Sequence, residues 1–423
     1  MTRRLVRPFA PAPLLALLAA IMVAVLALRA GPVRAEVVPA ASESAPRRVM
    51  MMLDLGPDHY RSGSDYGGGY GDAMGDKARL RLARKIAREH RLEVVDSWPM
   101  PLIGVDCIIL EIRDERTIEA VVRELSAVPG VSWSQPLNEF EMLESRPPEG
   151  APAPAVSYND RLFSAQPAAS LWHLARLHSV ATGRGVTVAV IDSHIDTAHP
   201  DLAGQFAGAV DFVPGHPEAE RHGTGVAGII AARSNNAQGI AGVAPGARIL
   251  ALRACWERGR GGATVCDSLT LARALTYAIE HGAGVMNMSL TGPHDPLITR
   301  LVALATARGA VVVAAIDQQN PPASFPAFLP GVVSVGDERL SDRSLNAYKA
   351  PGLDVLTTQP EGKWDLVSGS SYAAAHVSGL VALLRQLTGN HSSPDALLGP
   401  HGTLDACAAI ARVSRLDRVA CAR

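Results

Sequence analysis

Apolar and polar positions follow two different patterns in the first and second parts of the chain. Between residues 76 and 142, apolar residues alternate with polar ones or recur on one face of a helix, which indicates short strands and helices. The predicted elements are a basic helix over 77–90, a strand over 92–97, a strand through Cys107, a helix begun by Asp114, and a strand over 131–135. This mixture predicts a small α+β domain.

Beyond Leu171, apolar strands without alternation take turns with helices. A parallel strand that is covered on both faces is apolar on both, so this pattern favours a buried parallel sheet. The predicted strands are 186–191, 284–290, 310–315 and 331–336, and the predicted helices are 222–232, 267–281 and 295–308. The fold class is therefore α/β, a doubly wound, mostly parallel sheet flanked by helices. Sites in such folds lie at the carboxyl ends of the strands.

The remaining segments divide the chain into five parts. The predicted parts are an export signal over 1–35, a flexible segment over 36–75, the α+β domain over 76–142, a Pro-rich linker over 143–157, and the α/β domain over 158–423. Three arginines precede the apolar run 14–28, as in a cleaved export signal. The alternative is an uncleaved membrane anchor, for which the run is short against the roughly 17–25 residues required.

The balance of basic and acidic residues argues against one class of partner, the nucleic acids. The chain carries 40 basic and 41 acidic residues, and a nucleic-acid-binding protein normally has a basic surplus. We therefore expect no nucleic-acid partner. Hydrophobic residues make up 48% of the chain, which is ample for a large core.

Three short motifs carry candidate chemistry. Ser371 follows Gly369 and opens an Ala-rich apolar run, which predicts a serine in the first turn of a buried helix. Backbone N–H groups at such a helix start are what an acyl-transfer site needs beside its nucleophile. Asp192 ends the strand 186–191, and His222 opens the motif His-Gly-Thr-Gly. The order Asp, His, Ser is one of the known orders of a catalytic triad.

These motifs closely resemble those of the subtilisin-like serine proteases, the subtilase family, over about residues 155–423. The family has a strand ending in Asp, a His-Gly-Thr helix start, and the motif Gly-Thr-Ser-Met-Ala-x-Pro-His-Val. The resemblance implies a serine endopeptidase with Ser371 as nucleophile, His222 as base and Asp192 orienting it. It also implies that the α+β domain is an inhibitory propeptide, removed by cleavage in or near 143–157.

The motif around the nucleophile departs from the family at two positions. Tyr372 replaces the family's Met, and Ala375 replaces its Pro. His376 matches the family and is expected to be structural. The resemblance further implies that substrate backbone pairs with a strand and loop, in the manner of β-augmentation. Its residues are Ser289, Leu290, Thr291 and Gly292, with Thr291 replacing a family Gly.

The oxyanion-hole motif is altered. The family continues an apolar strand into Ala-Gly-Asn, whose Asn donates to the oxyanion, whereas this chain has Ile316-Asp-Gln-Gln-Asn. Alignment without gaps places Gln318 at the Asn position, and Asp317 and Asn320 remain alternatives. An amide can donate such a hydrogen bond, but an ionised carboxylate cannot.

A structural calcium ion is also implied by the resemblance. Its ligands would be Asp201, Asn236 and the backbone carbonyls of Gln238 and Ile240, oxygen donors that suit this ion. The alternative is a Gly-rich turn that holds no metal. No other cofactor is expected.

Five cysteines fit an oxidising compartment, periplasmic or extracellular. Cys255 and Cys266 bracket a Gly-rich loop, and Cys407 and Cys421 bracket a short helical stretch. Each pair is a candidate disulfide, although sequence does not fix the connectivity. Cys107 is expected to be a buried free thiol.

The leading hypothesis is an exported serine endopeptidase that acts on proteins or peptides and is made as a self-processed precursor. The alternative is a weak or silent binding protein of the same fold, motivated by the altered oxyanion loop. A third hypothesis is that residues 76–136 act separately as an inhibitor or folding module. A membrane is a partner only if the N-terminal segment stays uncleaved.

Overall fold

The computed structural model describes most of the chain from Arg47 onward, and these residues belong to one compact unit. The described ranges are 47–54, 73–143, 158–215, 218–259, 262–321, 324–342, 344–389 and 393–414. The predicted export signal lies outside them. No helix in these ranges is long and apolar enough to cross a membrane.

The N-terminal part is an antiparallel sheet with two helices on one face. In chain order its elements are β1 (Arg48–Asp54), α1 (Ala73–Glu89), β2 (Leu92–Met100), β3 (Val105–Ile112), α2 (Ile118–Ser126) and β4 (Val131–Pro136). The strand order is β2-β3-β1-β4. The predicted α+β architecture is confirmed. The helix expected to start at Asp114 is instead capped by Thr117, whose side chain accepts the N–H of Ala120.

β1 corrects the sequence analysis, which predicted a flexible segment over 36–75. Its residues alternate between two cores: Val49 and Met51 pack with α1 and α2, whereas Met50 and Met52 pack against the larger domain. The run Met50-Met-Met-Leu is apolar throughout because both faces of this central strand are buried. The low-complexity stretch 60–71 lies outside the described residues.

The larger domain is built on an eight-stranded sheet in the order β18-β15-β14-β13-β11-β6-β8-β7, with every paired strand parallel. Its strands are β6 (Thr187–Asp192), β7 (Phe206–Asp211), β8 (Arg248–Arg253), β11 (Val285–Met288), β13 (Val311–Ala315), β14 (Val332–Gly336), β15 (Tyr348–Lys349) and β18 (Gly402–Thr403). The predicted α/β sheet is confirmed, and β7 and β8 were not anticipated.

Helices cover both faces of this sheet. They are α3 (Pro167–Leu171), α4 (Leu174–His178), α5 (Arg221–Ala231), α6 (Ser268–Glu280), α7 (Pro296–Ala307), α8 (Ser370–Thr388), α9 (Pro394–Leu398) and α10 (Ala406–Val413). In β6, Val188 and Val190 belong to the core under α5 and α8, while Ala189 and Ile191 belong to the core under α6 and α7. This double burial explains the unbroken apolar strand.

Two smaller strand groups lie at the carboxyl edge of the sheet. One is a hairpin of β16 (Val355–Gln359) and β17 (Lys363–Val367), which leads directly into α8. The other is an antiparallel sheet in the order β12-β5-β10-β9, formed by β5 (Glu139–Met142), β9 (Cys255–Glu257), β10 (Thr264–Asp267) and β12 (Leu290–Thr291). β5 follows the N-terminal sheet in the chain, and it pairs with two strands of the larger domain.

Candidate active site

Asp192 and His222 meet at the carboxyl edge of the large sheet, as predicted. His222 Nδ1 lies 2.9 Å from Asp192 Oδ1 and 3.1 Å from Oδ2, and both side chains are fully buried. The N–H of Ser193 donates to the same carboxylate. Gly223 is required here, because a Cβ at that position would lie 2.4 Å from the carbonyl oxygen of Ser193. These contacts fix the imidazole with Nδ1 facing the carboxylate.

Ser371 lies in the first turn of α8, as the small-residue motif predicted. Its Oγ donates to the carbonyl oxygen of Ser289 at 2.8 Å, and its own carbonyl accepts from Ser289 Oγ at 3.0 Å. The ring of Tyr372 lies 5.4 Å from that of His222. The Tyr that replaces the family's Met therefore packs on the imidazole, next to the candidate nucleophile.

A strand from the N-terminal part of the chain ends at this serine. The backbone N–H of Leu143, the residue after β5, donates to Ser371 Oγ at 3.2 Å. Within β5, Met142 pairs with Leu290 and Glu141 with Thr291, which are two of the predicted substrate-binding residues. On its other side β5 pairs with β10. An extended peptide thus lies between two strands of the larger domain with its end at Ser371.

Phe140 anchors this extended segment. Its side chain is fully buried, and its ring centroid lies 6.1 Å from that of Phe325. A Cβ on Gly292 would lie 2.3 Å from Phe140 Cδ1, so the absence of a side chain at Gly292 makes room for the ring. A cavity of about 530 Å³ continues beside Thr291, Gly292 and Phe325.

The altered loop after β13 holds its side chains by contacts that the sequence did not reveal. Asp317 accepts the backbone N–H groups of Gln319 and Asn320, so its carboxylate acts as a turn acceptor. Gln318 hydrogen-bonds to the side chain of Asp337, just after β14. Burial raises the pKa of Asp337, but the hydrogen bonds from Arg339 and Gln318 outweigh burial and lower it overall. Gln318 is therefore positioned by an ionised carboxylate.

The residues of the implied calcium loop are close together, but N–H groups surround the carboxylate. Asp201 is fully buried, and its Oδ1 accepts from the amide nitrogen of Asn236 at 2.9 Å. Its Oδ2 accepts from the indole N–H of Trp364 at 2.7 Å and the backbone N–H of Ile240 at 2.9 Å. The side-chain oxygen of Asn236 accepts from Gln238 N. This donor set does not fit a calcium ion, which requires oxygen ligands.

We expect the thermal stability of the protein to be insensitive to calcium, because hydrogen bonds already satisfy Asp201. The melting temperature, measured with EDTA and with millimolar calcium, should be the same within error. An ion that binds only the folded chain would raise the melting temperature. A clear rise with calcium would show that the loop rearranges to bind it.

The predictions on the cysteines concern two disulfides and one free thiol. Cys255 and Cys266 form a disulfide, and Cys107 is a buried free thiol whose pKa is raised by burial. Cys421 lies outside the described residues, so the second disulfide stays a prediction.

Burial lowers the pKa of His376 to about 4, and its Nδ1 lies 2.9 Å from the carbonyl oxygen of Tyr372. A neutral, buried imidazole is consistent with a structural role.

Sequence analysis missed the strand β5 and its partners. The alternation Glu139-Phe-Glu-Met was the available signal, since polar and apolar residues at period two are typical of a strand. It also missed Asp295, a fully buried carboxylate at the start of α7. Asp295 accepts from Gln135 at 2.9 Å and Asn138 at 3.0 Å, and so joins the N-terminal part to the larger domain.

Comparison with known proteins identifies the family of this chain. The model of the subtilase family matches residues 183–399. A thermophilic serine proteinase of Bacillus sp. (strain AK1) is 36% identical over 280 residues, covering 63% of this chain and 66% of that protein. Thermitase of Thermoactinomyces vulgaris is 36% identical over 218 residues, covering 48% of this chain and 76% of that protein.

A solved structure shares the fold. Fervidolysin from Fervidobacterium pennivorans, described as a keratinolytic enzyme related to subtilisin, matches with a TM-score of 0.65 and 23% identity. The match covers 86% of this chain and 61% of that one. This likeness shows the fold, and the family is shown by the match of the subtilase model to residues 183–399. The chain belongs to the subtilase family of serine endopeptidases.

Proposed function

We propose that this chain is an exported serine endopeptidase, made as a precursor that cleaves itself, with Ser371 as its nucleophile. The observation that carries the proposal is the strand β5, which lies in the cleft as an extended peptide. Its end brings the N–H of Leu143 to 3.2 Å from Ser371 Oγ. The buried contact between Asp192 and His222 provides a base and the carboxylate that orients it, as a triad requires.

In the proposed reaction, Ser371 Oγ adds to the carbonyl carbon of the scissile bond while His222 Nε2 takes its proton. The tetrahedral intermediate then expels the amine, which receives that proton from His222. Water enters, loses a proton to His222 and hydrolyses the acyl ester, which regenerates the serine. Asp192 keeps the Nδ1 proton facing it and stabilises the imidazolium that forms in each half.

The developing oxyanion requires donors, and we assign one of them to Gln318. One N–H of its amide is engaged by Asp337, and an amide nitrogen carries a second. We expect Gln318→Ala to lower kcat by about a hundred- to a thousand-fold, with KM little changed, because the donor acts mainly in the transition state. Steady-state kinetics would test this. An unchanged kcat would mean that backbone N–H groups stabilise the oxyanion alone.

The N-terminal part acts, in this proposal, as an intramolecular inhibitor that also supplies the first substrate. Its sheet buries Met50 and Met52 against the larger domain, while β5 fills the cleft. The strand register places Leu143 opposite Ser289, so we assign the bond between Leu143 and Glu144 as the maturation site. This bond lies at the start of the predicted linker 143–157.

Export is supported by the sequence of the N-terminal segment and by one disulfide. The segment 1–35 has the pattern of an export signal, and the disulfide between Cys255 and Cys266 suits an oxidising compartment. The alternative of a silent binding protein is not favoured, since the relatives named above are described as proteinases.

The test uses the purified full chain and an internally quenched peptide with the sequence of residues 138–146. We expect cleavage after the leucine equivalent to Leu143, identified by mass spectrometry, and a mature protein that begins at Glu144. The released N-terminal fragment should co-elute with the mature domain. A folded protein that leaves both the peptide and itself intact would contradict the proposal.

A further inference from the structure

The hairpin of β9 and β10 carries an arginine that faces the substrate-like strand. Arg258 Nη2 lies 2.5 Å from Glu139 Oε1, on β5. This contact raises the pKa of Arg258, and the more distant charge of Glu141 adds to the effect. Both side chains of the pair are about half exposed, at 51% and 56%. The contact therefore joins a fixed part of the larger domain to a side chain of the peptide in the cleft.

The hairpin fixes the backbone at Arg258. Cys255 and Cys266 form the buried disulfide across its base, and Glu257 pairs with Thr264 just above it. The backbone N–H of Arg258 donates to the carbonyl oxygen of Ala263 at 2.9 Å. The hairpin therefore places the positive charge of Arg258 beside the cleft.

A substrate strand in the place of β5 must pass the same hairpin. Strand β10 pairs with β5 at Asp267 opposite Glu139, Cys266 opposite Phe140 and Val265 opposite Glu141. Any extended peptide bound between β10 and β12 puts a side chain where Glu139 now lies, four residues before Leu143. The side chain at that position meets the guanidinium group of Arg258.

We propose that Arg258 is a specificity-determining residue, which makes the enzyme favour substrates with an acidic side chain four residues before the residue that supplies the scissile carbonyl. The inference rests on the proposed function. The preference is moderate, because an exposed ion pair contributes about 0.2–1 kcal/mol, equivalent to roughly 1.5- to 5-fold in kcat/KM. It also weakens with salt, since the Debye length falls from about 10 Å at 0.1 M to about 3 Å at 1 M.

The experiment measures kcat/KM of the matured protein on three quenched peptides of residues 138–146, with Glu, Gln or Lys at the position of Glu139. The wild type should favour Glu over Gln by roughly 1.5- to 5-fold, with Lys the poorest. Arg258→Lys should keep the preference, Arg258→Gln should abolish it, and Arg258→Glu should favour Lys. Because each ratio is taken within one variant, it does not depend on the amount of active enzyme.

Arg308→Gln is the matched control. Arg308 is exposed and follows the C-terminal end of α7, about 18 Å along that helix from its start near the cleft. The substitution Arg308→Gln removes one positive charge, as Arg258→Gln does, but away from the cleft. The preference for Glu should therefore persist. Equal rates on the three peptides, or a preference that survives in Arg258→Gln, would overturn this inference alone. Failure of every variant to cleave any peptide would overturn the proposed function and this inference with it.

Discussion

Replacing Ser371 by Ala is expected to lower peptide-bond hydrolysis by roughly a million-fold, because the acyl-enzyme cannot form without the hydroxyl. The same change should leave the precursor uncut. The substitution removes one buried oxygen that donates to Ser289, so the protein should fold. Hydrolysis of the quenched peptide and the mass of the purified chain are the two measurements.

Ser170→Ala is the control for this experiment. Ser170 is exposed on α3, where its hydroxyl donates to the carbonyl of Pro167. It should mature and cleave peptide like the wild type. Residual activity of Ser371→Ala within a hundred-fold of the wild type would mean that another group supplies the nucleophile.

Replacing Asp192 by Asn is expected to lower kcat by about ten-thousand-fold while preserving the shape of the site. The carboxylate of Asp192 accepts from His222 Nδ1 and from Ser193 N. An amide has the same size, but it does not hold the imidazole in the required tautomer and does not stabilise the imidazolium. Steady-state kcat of the variant and the wild type, measured with the peptide substrate over a range of pH, reports this effect.

A loss smaller than ten-fold would contradict the role given to Asp192. It would show that the buried carboxylate only packs the helix start. Circular dichroism of the variant provides the folding control, since both side chains are fully buried and a folding defect would also lower the rate.

The core strands and the positions of Asp192, His222 and Ser371 on their elements were predictable because each depends on local sequence. The strand before Asp192 is apolar on both faces, and this pattern is typical of a parallel strand that helices cover on both sides. Ser371 and His222 lie at helix starts marked by small residues. The meeting of Asp192 and His222 followed from the rule that sites gather at the carboxyl ends of parallel strands.

The N-terminal strand β1 escaped prediction although its sequence has a similar unbroken apolar pattern. Its run of three methionines has no alternation, and a low-complexity stretch follows it in the sequence. Its burial comes from two different partners: its own helices on one face and the larger domain on the other. The unbroken apolar run is a local signal of a strand buried on both faces, but it does not identify the partner that covers each face.

The oxyanion loop and the calcium loop depend on side-chain directions, which sequence does not supply. Gln318 is held by Asp337, which follows the next strand, and Asp201 is held by Trp364, which is 163 residues away in the chain. The family resemblance located both loops but did not identify these partners. In the loop that was expected to bind calcium, the indole N–H of Trp364 donates to the carboxylate of Asp201, which was expected to bind the ion.

The most direct test of the central claim is covalent labelling of the matured wild-type protein with a fluorophosphonate probe. Mapping of the labelled peptide should place the adduct on Ser371, and Ser371→Ala should show none. Labelling at another residue, or no labelling of a folded and cleaved protein, would contradict the claim that Ser371 is the activated nucleophile of this chain.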